Sequence, residues 1–313
     1  MPADRAHPET PQSVSHIRTW RDLFRPHTVT ASFVPAFTGT AYALAQTGLD
    51  ALHPDRFLAF FFTILLLQTA ANLFNEYYDY VRGLDTKESW GIGGAIVHDR
   101  LSAKTVRHTA LLSGGAACLF GLYLCAQTSW LLLPVGVICG LTTYLYTGGP
   151  RPIAYTPFGE LVAGGVMGCA GVNTAFFLQT GTVTAGSVLV SIPATILIGV
   201  ILSANNIRDM DNDRASGRKT LVILLGRKHS ITYLTTAYIT AFAWIACLTA
   251  ANLVSAWALL GLLGILPAWQ SVVLFTRHCA PKDLMPAMKR SAQTNTVAGI
   301  LFSLGMLLGF LLN

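Results

Sequence analysis

Residues 186–206 read GSVLVSIPATILIGVILSANN. This run is long and apolar enough to cross the hydrocarbon core of a bilayer as a single helix, which takes about 20 such residues. Runs of the same kind recur along the chain, and long, non-alternating apolar runs exclude a transmembrane β-barrel. We therefore predict an all-α, multi-pass membrane protein with nine transmembrane helices. The predicted spans are residues 28–47, 57–81, 104–126, 129–147, 157–179, 186–206, 231–253, 255–276 and 290–312.

The composition and the placement of charge support this reading. Only 12% of the residues are charged, whereas a soluble domain carries about a quarter. With nine spans, all of the 21 Lys and Arg residues except Arg56 fall on one side of the membrane. Cytoplasmic loops are rich in these residues, so we predict a cell-membrane protein with its amino terminus in the cytoplasm and its carboxyl terminus outside. A basic inner face beside anionic lipid accounts for the formal charge of +6 without a nucleic-acid partner.

The amino-terminal segment differs from the rest of the chain. Residues 1–16 are polar, contain three prolines and lack the apolar core of a signal peptide. We predict a flexible cytoplasmic tail over residues 1–20, followed by a single intramembrane domain over residues 21–313.

Two acidic blocks end the second and sixth predicted spans, at residues 72–85 and 205–220. Both contain an Asn-x-x-x-Asp core, and helical periodicity puts the amides and carboxylates of each block on one face, with Asp211 pointing away from Asp209. Mg²⁺ prefers such oxygen ligands and keeps room in its shell for substrate phosphates. For one block alone, a solvated helix end is an equal alternative. Two matching blocks on the same side of the membrane favour a metal–diphosphate site.

The candidate metal ligands are the oxygen donors of these blocks. Asp79, Asp209 and Asp213 are also the predicted catalytic carboxylates. Gly83 stands where a further acid would follow Asp79 by one helical turn, so Asp85 can join the site only if the helix ends near that glycine. The full predicted ligand set is Asn75, Glu76, Asp79, Asp85, Asn205, Asp209 and Asp213.

Cationic and polar side chains near the blocks are candidates for holding a diphosphate, the cations being Arg82, Arg151, Arg208, Arg218 and Lys219. Arginine suits bidentate phosphate recognition and lysine acts as a point charge, although positive-inside bias alone would also place cations here. Glycines close to Lys219 and Arg151 favour these two, and Lys219 is predicted to be catalytic. The loop from Arg82 to Leu101, with Gly91, Gly93 and Gly94, is either a lid or an ordinary connection. The predicted substrate-binding residues are Asn72, Asn75, Arg82, Tyr146, Arg151, Asn205 and Arg208.

Longer stretches around these blocks resemble a known family. Residues 205–226 read NNIRDMDNDRASGRKTLVILLG and residues 146–160 read YTGGPRPIAYTPFGE. Both stretches resemble the menaquinone branch of the UbiA-type intramembrane prenyltransferases, the 1,4-dihydroxy-2-naphthoate polyprenyltransferases. The first block resembles the same branch, and Phe24-Arg25-Pro26 fits it more weakly. The resemblance extends from about residue 20 to the end of the chain.

This resemblance implies a fold, a cofactor and a reaction. Members of the family have nine helices around a central cavity, and two aspartate-rich motifs bind Mg²⁺ and a polyprenyl diphosphate. Asn75 and Asp79 match the first motif, while Asn205, Asp209 and Asp213 match the second. The implied reaction transfers the polyprenyl group to 1,4-dihydroxy-2-naphthoate with loss of CO₂ and diphosphate, giving demethylmenaquinone.

Alternatives remain open at this stage. Another aromatic acceptor, such as 4-hydroxybenzoate, would use the same fold and metal site. A cation-coupled transporter would also place carboxylates in a membrane protein, but nearer the bilayer midplane. A base for the aromatic acceptor is not identified, with Glu160 and Glu76 as the candidates.

Overall fold

The computed structural model describes residues 16–85, 94–98 and 100–312, and all of the regular secondary structure in these residues is helical. Short 3₁₀ turns at Leu49–Ala51 and Ile153–Tyr155 lie in the connections. The long elements are α1 (His16–Phe24), α2 (Pro26–Thr47), α3 (Pro54–Val81), α4 (Ala103–Gln127), α5 (Leu132–Leu145), α6 (Gly159–Thr180), α7 (Ala185–Ala215), α8 (Leu221–Ala250), α9 (Ala256–Arg277) and α10 (Pro281–Leu312).

Within the described residues, seven helices are long and apolar enough to cross a membrane, namely α3, α4 and α6 to α10. They coincide with seven of the predicted spans, so the all-α, multi-pass character of the chain is confirmed. Helices α2 and α5 coincide with the other two predicted spans, but α5 has only 14 residues. The count of nine crossings stays a prediction.

The flexible tail predicted over residues 1–20 overlaps the first helix. Residues 16–20 belong to α1, and Trp20 and Leu23 pack into a buried cluster with Leu73 of α3 and Val106 of α4. These apolar contacts explain why the helix forms despite the polar residues that precede it. Residues 1–15 lie outside the described part of the chain, as do Gly91 and Gly93 of the predicted lid loop.

Close packing between helices fixes the bundle. Helix α2 packs against α3, α6 and α10, α3 packs against α4, and α7 packs against α8. A Cβ atom on Gly39 of α2 would lie 2.1 Å from the carbonyl oxygen of Val172 in α6, which shows how closely the two backbones approach. Small residues at such crossings are what membrane helices use to gain van der Waals contact.

The ends of α3 and α7 carry the two acidic blocks. Helix α7 continues nine residues beyond its predicted span, to Ala215, so all the acidic residues of the second block are helical. Helix α3 ends at Val81, and Gly83 follows with a φ of +69°. The chain therefore turns where the sequence argument required it to turn for Asp85 to approach Asp79.

Candidate active site

A polar cavity of about 190 Å³ lies between the carboxyl ends of α3 and α7. The structure brings both acidic blocks to its wall, although they are more than 100 residues apart in sequence. The predicted ligands that line it are Asn75, Asp79 and Asp85 from the first block and Asn205, Asp209 and Asp213 from the second.

Arg218 joins the two blocks. Its guanidinium donates to Asp79 Oδ1 at 2.7 Å and to Asp213 Oδ1 at 2.9 Å, and all three side chains are at most 13% exposed. Gly217, with a φ of +77°, turns the chain back after α7 so that Arg218 reaches the cavity. Burial disfavours the charged guanidinium, but Asp79 and Asp213 outweigh this effect and raise the pKa of Arg218 above its ordinary value.

A second arginine compensates Asp209 of α7. Arg208 donates from Nε to Asp209 Oδ1 at 2.6 Å, and its Nη2 contacts Asp209 Oδ2. The Arg208 side chain is buried, and both residues line the polar cavity. The guanidinium is held from its other side by a contact of Nη1 with Met285 Sδ at 3.2 Å.

Arg25 belongs to the site although the sequence argument did not select it. It lies between α1 and α2 with a φ of +49°, which is unusual for a non-glycine residue, and its Nη2 donates to Asn75 Oδ1 at 2.9 Å. Such strain persists where the surroundings hold it, often at functional sites. The available signal was the position of Phe24-Arg25-Pro26 directly before the first predicted span.

The acidic residues of the first block have different contacts. Glu76 is buried, and its two carboxylate oxygens accept hydrogen bonds from the backbone N–H groups of Gly94 (3.0 Å) and Ile96 (3.2 Å). It does not line the polar cavity, so its predicted role as a metal ligand is replaced by anchoring of residues 94–96. Asp85 does line the cavity, and burial, followed by the nearby charges of Asp79 and Glu76, raises its pKa to about 6.

Three predicted cations lie elsewhere. The side chains of Lys219 and Arg151 are exposed and do not line the polar cavity. The turn at Gly217 directs Arg218 inward rather than Lys219. Arg82 donates to the backbone carbonyls of Thr147 and Gly149, the latter at 2.9 Å. Arg82 thus fixes the loop that precedes residues 150–160. The predicted catalytic role of Lys219 and the predicted substrate contacts of Arg151 and Arg82 have no counterpart in this arrangement.

An apolar cavity of about 680 Å³ adjoins the polar one. It is walled mainly by aliphatic side chains of α3 to α7. Asn72 lines it and donates to the backbone carbonyl of Phe24 at 3.1 Å. The residues that line both cavities are Arg25, Asn75, Tyr146, Leu202 and Asn205.

The donor set fits a hard divalent cation that shares its shell with phosphate. Among the described residues, no three Asp, Glu, His or Cys side chains are grouped closely enough to hold a metal alone. Mg²⁺ commonly binds through one or two carboxylates, water and substrate phosphates, so sparse carboxylates are sufficient. The guanidinium between Asp79 and Asp213 marks a place where the protein itself requires positive charge.

The chain is similar to known proteins in sequence and in fold. The chain is 46% identical to 1,4-dihydroxy-2-naphthoate octaprenyltransferase of Bacillus subtilis, with 96% of each chain covered. It is 27% identical to the enzyme of that name from Escherichia coli, over 96% of this chain and 98% of the relative. A UbiA homologue of Archaeoglobus fulgidus, solved with GPP and Mg²⁺, superposes with a TM-score of 0.62 at 13% identity, covering 91% of this chain and 99% of the homologue. Residues 32–290 match the UbiA prenyltransferase family, and the chain therefore belongs to that family.

Proposed function

We propose that the protein transfers a polyprenyl group from its diphosphate to 1,4-dihydroxy-2-naphthoate, in the menaquinone pathway, using Mg²⁺. The relatives that carry this activity in their names support the acceptor. The observation that carries the proposal from the structure is the direct junction of a polar, charge-lined cavity with a large apolar one.

This junction suits the two ends of a polyprenyl diphosphate. The diphosphate lies in the polar cavity, within reach of Arg25, Arg208 and Arg218. The isoprenoid chain lies in the apolar cavity, where burial of its hydrocarbon surface supplies binding free energy. The allylic carbon between the two parts is then placed near Asn75 and Asn205, which line both cavities.

The reaction breaks the allylic carbon–oxygen bond and leaves the electron pair on the diphosphate. Bound Mg²⁺ supplies Lewis-acid stabilisation of that departing charge. The arginines contribute fixed positive charge in a site largely shielded from water, where it is worth more than in solution. Asp79, Asp209 and Asp213 would hold Mg²⁺. Each of these carboxylates faces an arginine in this structure, so each lies where a positive charge is favourable.

The balance of electrons and protons in the reaction decides whether a base is needed. When the ionised carboxylate of the acceptor leaves as CO₂, its bonding electrons remain on the ring and balance the prenyl group that is gained. No net proton has to be removed, and the balanced product is the hydroquinone form, which a later two-electron oxidation converts to demethylmenaquinone. A dedicated base is therefore not required, in keeping with the backbone contacts of Glu76 and the absence of Glu160 from both cavity walls in the described residues.

The proposal includes a topology for the bilayer. Nine crossings by α2 to α10 around the two cavities put the amino terminus in the cytoplasm and the carboxyl terminus outside. The distribution of Lys and Arg supports this orientation. The active site then lies near the cytoplasmic face of the cell membrane, where the charged substrates are made available and the polyprenyl chain stays in lipid.

Cation transport is the less favoured function. The Arg218 guanidinium between Asp79 and Asp213 would repel a passing cation, whereas it attracts a diphosphate. Prenylation of another aromatic acceptor keeps the same machinery and differs only in the ring that is bound.

The test is product formation by purified protein in detergent with 1,4-dihydroxy-2-naphthoate and octaprenyl diphosphate, with Mg²⁺ and with EDTA. We expect Mg²⁺-dependent formation of the prenylated, decarboxylated product. Turnover of 4-hydroxybenzoate in place of the naphthoate would retain the prenyl transfer and refute the acceptor. Absence of turnover with both acceptors, by protein that binds octaprenyl diphosphate, would refute the proposed activity.

A further inference from the structure

Glu160 is a buried carboxylate for which the proposed reaction has no direct use. It lies in the first turn of α6 and is 3% exposed. An acid at this position often complements the positive end of its helix, but the Oε1 atom of Glu160 accepts a hydrogen bond from Asn206 Nδ2 of α7 at 2.8 Å. Its Oε2 atom has no hydrogen-bond partner among the described residues. A buried carboxylate with one unpaired oxygen is costly, so stability alone does not explain its burial.

Close packing of α6 on α7 fixes the position of Glu160. A Cβ atom on Gly199 of α7 would lie 3.1 Å from the backbone carbonyl oxygen of Glu160. A Cβ atom on Gly164 of α6 would lie 2.4 Å from the backbone carbonyl oxygen of Thr195 in α7. Asn206 follows Gly199 by seven residues, which is two helical turns, so both lie on the face of α7 that contacts α6. The two backbones therefore hold the Glu160 carboxylate beside Asn206.

The hydrogen bond to Glu160 decides which way the Asn206 amide points. Only the nitrogen of an amide group donates and a carboxylate oxygen accepts, so Asn206 Nδ2 faces Glu160. Asn206 lines the polar cavity and Glu160 does not, so the carbonyl oxygen on the other side of the planar amide faces the cavity. Asn206 Oδ1 accepts no hydrogen bond from the described residues. This oxygen is therefore available to a cation bound in the cavity.

From this arrangement we propose that Glu160 is a positioning residue of the metal site, which holds the carbonyl oxygen of Asn206 toward Mg²⁺. Asn206 precedes Asp209 by three residues and Asp213 by seven, so helical periodicity puts all three on one face, and all three line the polar cavity. Amide carbonyl oxygens suit Mg²⁺ as carboxylates do, either directly or through a bound water. This inference rests on the proposed function and adds two residues to its site.

Orientation of the amide matters because its two ends have opposite electrostatic character. Without Glu160, the Asn206 amide can rotate and present its NH₂ group to the cavity, where a hydrogen-bond donor opposes a cation. Partners that orient metal ligands from behind typically contribute about 10- to 100-fold to metal affinity. Glu160 acts in this way without contact with the substrates, in keeping with its absence from both cavity walls in the described part of the chain.

The experiment measures the Mg²⁺ requirement of the full-length protein with octaprenyl diphosphate and without an acceptor, so that no transfer occurs. The unfolding temperature in detergent is followed as Mg²⁺ is added, and the Mg²⁺ concentration that gives half of the maximal rise is compared between variants. Glu160→Met should raise this concentration about tenfold. In EDTA its unfolding temperature should not fall, because an apolar side chain replaces a half-paired buried carboxylate. A merely structural role would give the opposite pattern, with a lower unfolding temperature in EDTA and an unchanged Mg²⁺ concentration.

Two further variants show whether Glu160 acts through Asn206. Glu160→Gln keeps an oxygen that accepts from Asn206 Nδ2 and loses only the charge, so its Mg²⁺ requirement should stay close to that of the parent protein. Asn206→Ala should raise the requirement at least as much as Glu160→Met, and the double variant should show no further rise. Additive effects in the double variant would overturn the inference, as would equal losses in Glu160→Gln and Glu160→Met.

Gln179→Met is the matched control. Gln179 lies on the same helix, is buried, has a side-chain Nε2 without a partner among the described residues, and lines neither cavity. We expect this variant to keep the Mg²⁺ requirement of the parent protein.

The parent protein separates this result from a failure of the proposed function. Its Mg²⁺-dependent stabilisation and its turnover of 1,4-dihydroxy-2-naphthoate establish that function independently of Glu160. A parental Mg²⁺ requirement in both Glu160→Met and Asn206→Ala would leave the function standing and refute the inference. Absence of any Mg²⁺ effect on the parent protein would refute the metal site itself, and the inference with it.

Discussion

Replacing Arg218 with glutamine removes a positive charge that contacts both acidic blocks. Two charge-assisted hydrogen bonds are lost, at 2.7 Å to Asp79 and 2.9 Å to Asp213, and both carboxylates are at most 13% exposed. Each bond of this kind contributes about 1.5–3 kcal/mol, and breaking a buried ion pair costs about 3–5 kcal/mol. Relaxation of the two carboxylates lowers this figure, so we expect a loss of about 3 kcal/mol in the free energy of unfolding.

The assay is thermal unfolding in detergent, first in EDTA and then with Mg²⁺. In EDTA, Arg218→Gln should unfold several degrees below the parent protein, because the ends of α3 and α7 repel each other. Mg²⁺ should recover more stability in Arg218→Gln than in the parent, since the divalent cation replaces the missing charge. Turnover should fall in the variant even with Mg²⁺, because the diphosphate loses a donor.

Lys219→Gln is the matched control. It removes the same charge one residue further along, but the Lys219 side chain is exposed and does not line the polar cavity. We expect its stability and turnover to stay close to those of the parent protein. Equal unfolding temperatures of Arg218→Gln and Lys219→Gln in EDTA would refute the argument that Arg218 holds the two blocks together.

Three further substitutions test the roles assigned to the acidic residues of the two blocks. Asp209→Asn should lower turnover at least about 100-fold, while Asp211→Asn, whose side chain is exposed and does not line the cavity, should be nearly neutral. Comparable turnover in these two variants would contradict the proposed site. Glu76→Gln should speed hydrogen exchange at the amides of Gly94 and Ile96 about tenfold, because one carboxylate oxygen is replaced by a donor that faces an N–H group. The Gly48 amide, bonded to the backbone of α2, is the internal reference, and unchanged exchange at both loop amides would refute the anchoring role.

The position of many residues of the polar cavity could be predicted from the local sequence. Spacing on a helix placed Asn75 with Asp79, and Asn205 with Asp209 and Asp213, and these residues do line one cavity. The glycine argument for Asp85 also agrees with the structure, because Gly83 adopts the left-handed conformation directly after α3. In each case the interval is within a few residues, so helical geometry and backbone preference are sufficient to place the side chain.

The placements that the sequence did not predict depend on contacts between residues that are far apart in sequence. Lys219 and Arg218 are adjacent, and only the packing of the turn after α7 against Tyr155 decides which one faces Asp79. Glu76 lies on the polar face of its block, but residues 94–96 use both of its oxygens. Arg25 reaches Asn75 across 50 residues of sequence.

The sequence by itself determined an all-helical membrane chain with two acidic helix ends, because apolar run length and helical periodicity are local properties. Only the tertiary structure decided which cations meet those acids, and that the polar cavity joins an apolar one beside Asn75 and Asn205. Such pairings depend on how the helices pack and at what register. Packing is set by close contacts between small residues such as Gly39 and a distant backbone, which the local pattern of the sequence does not reveal.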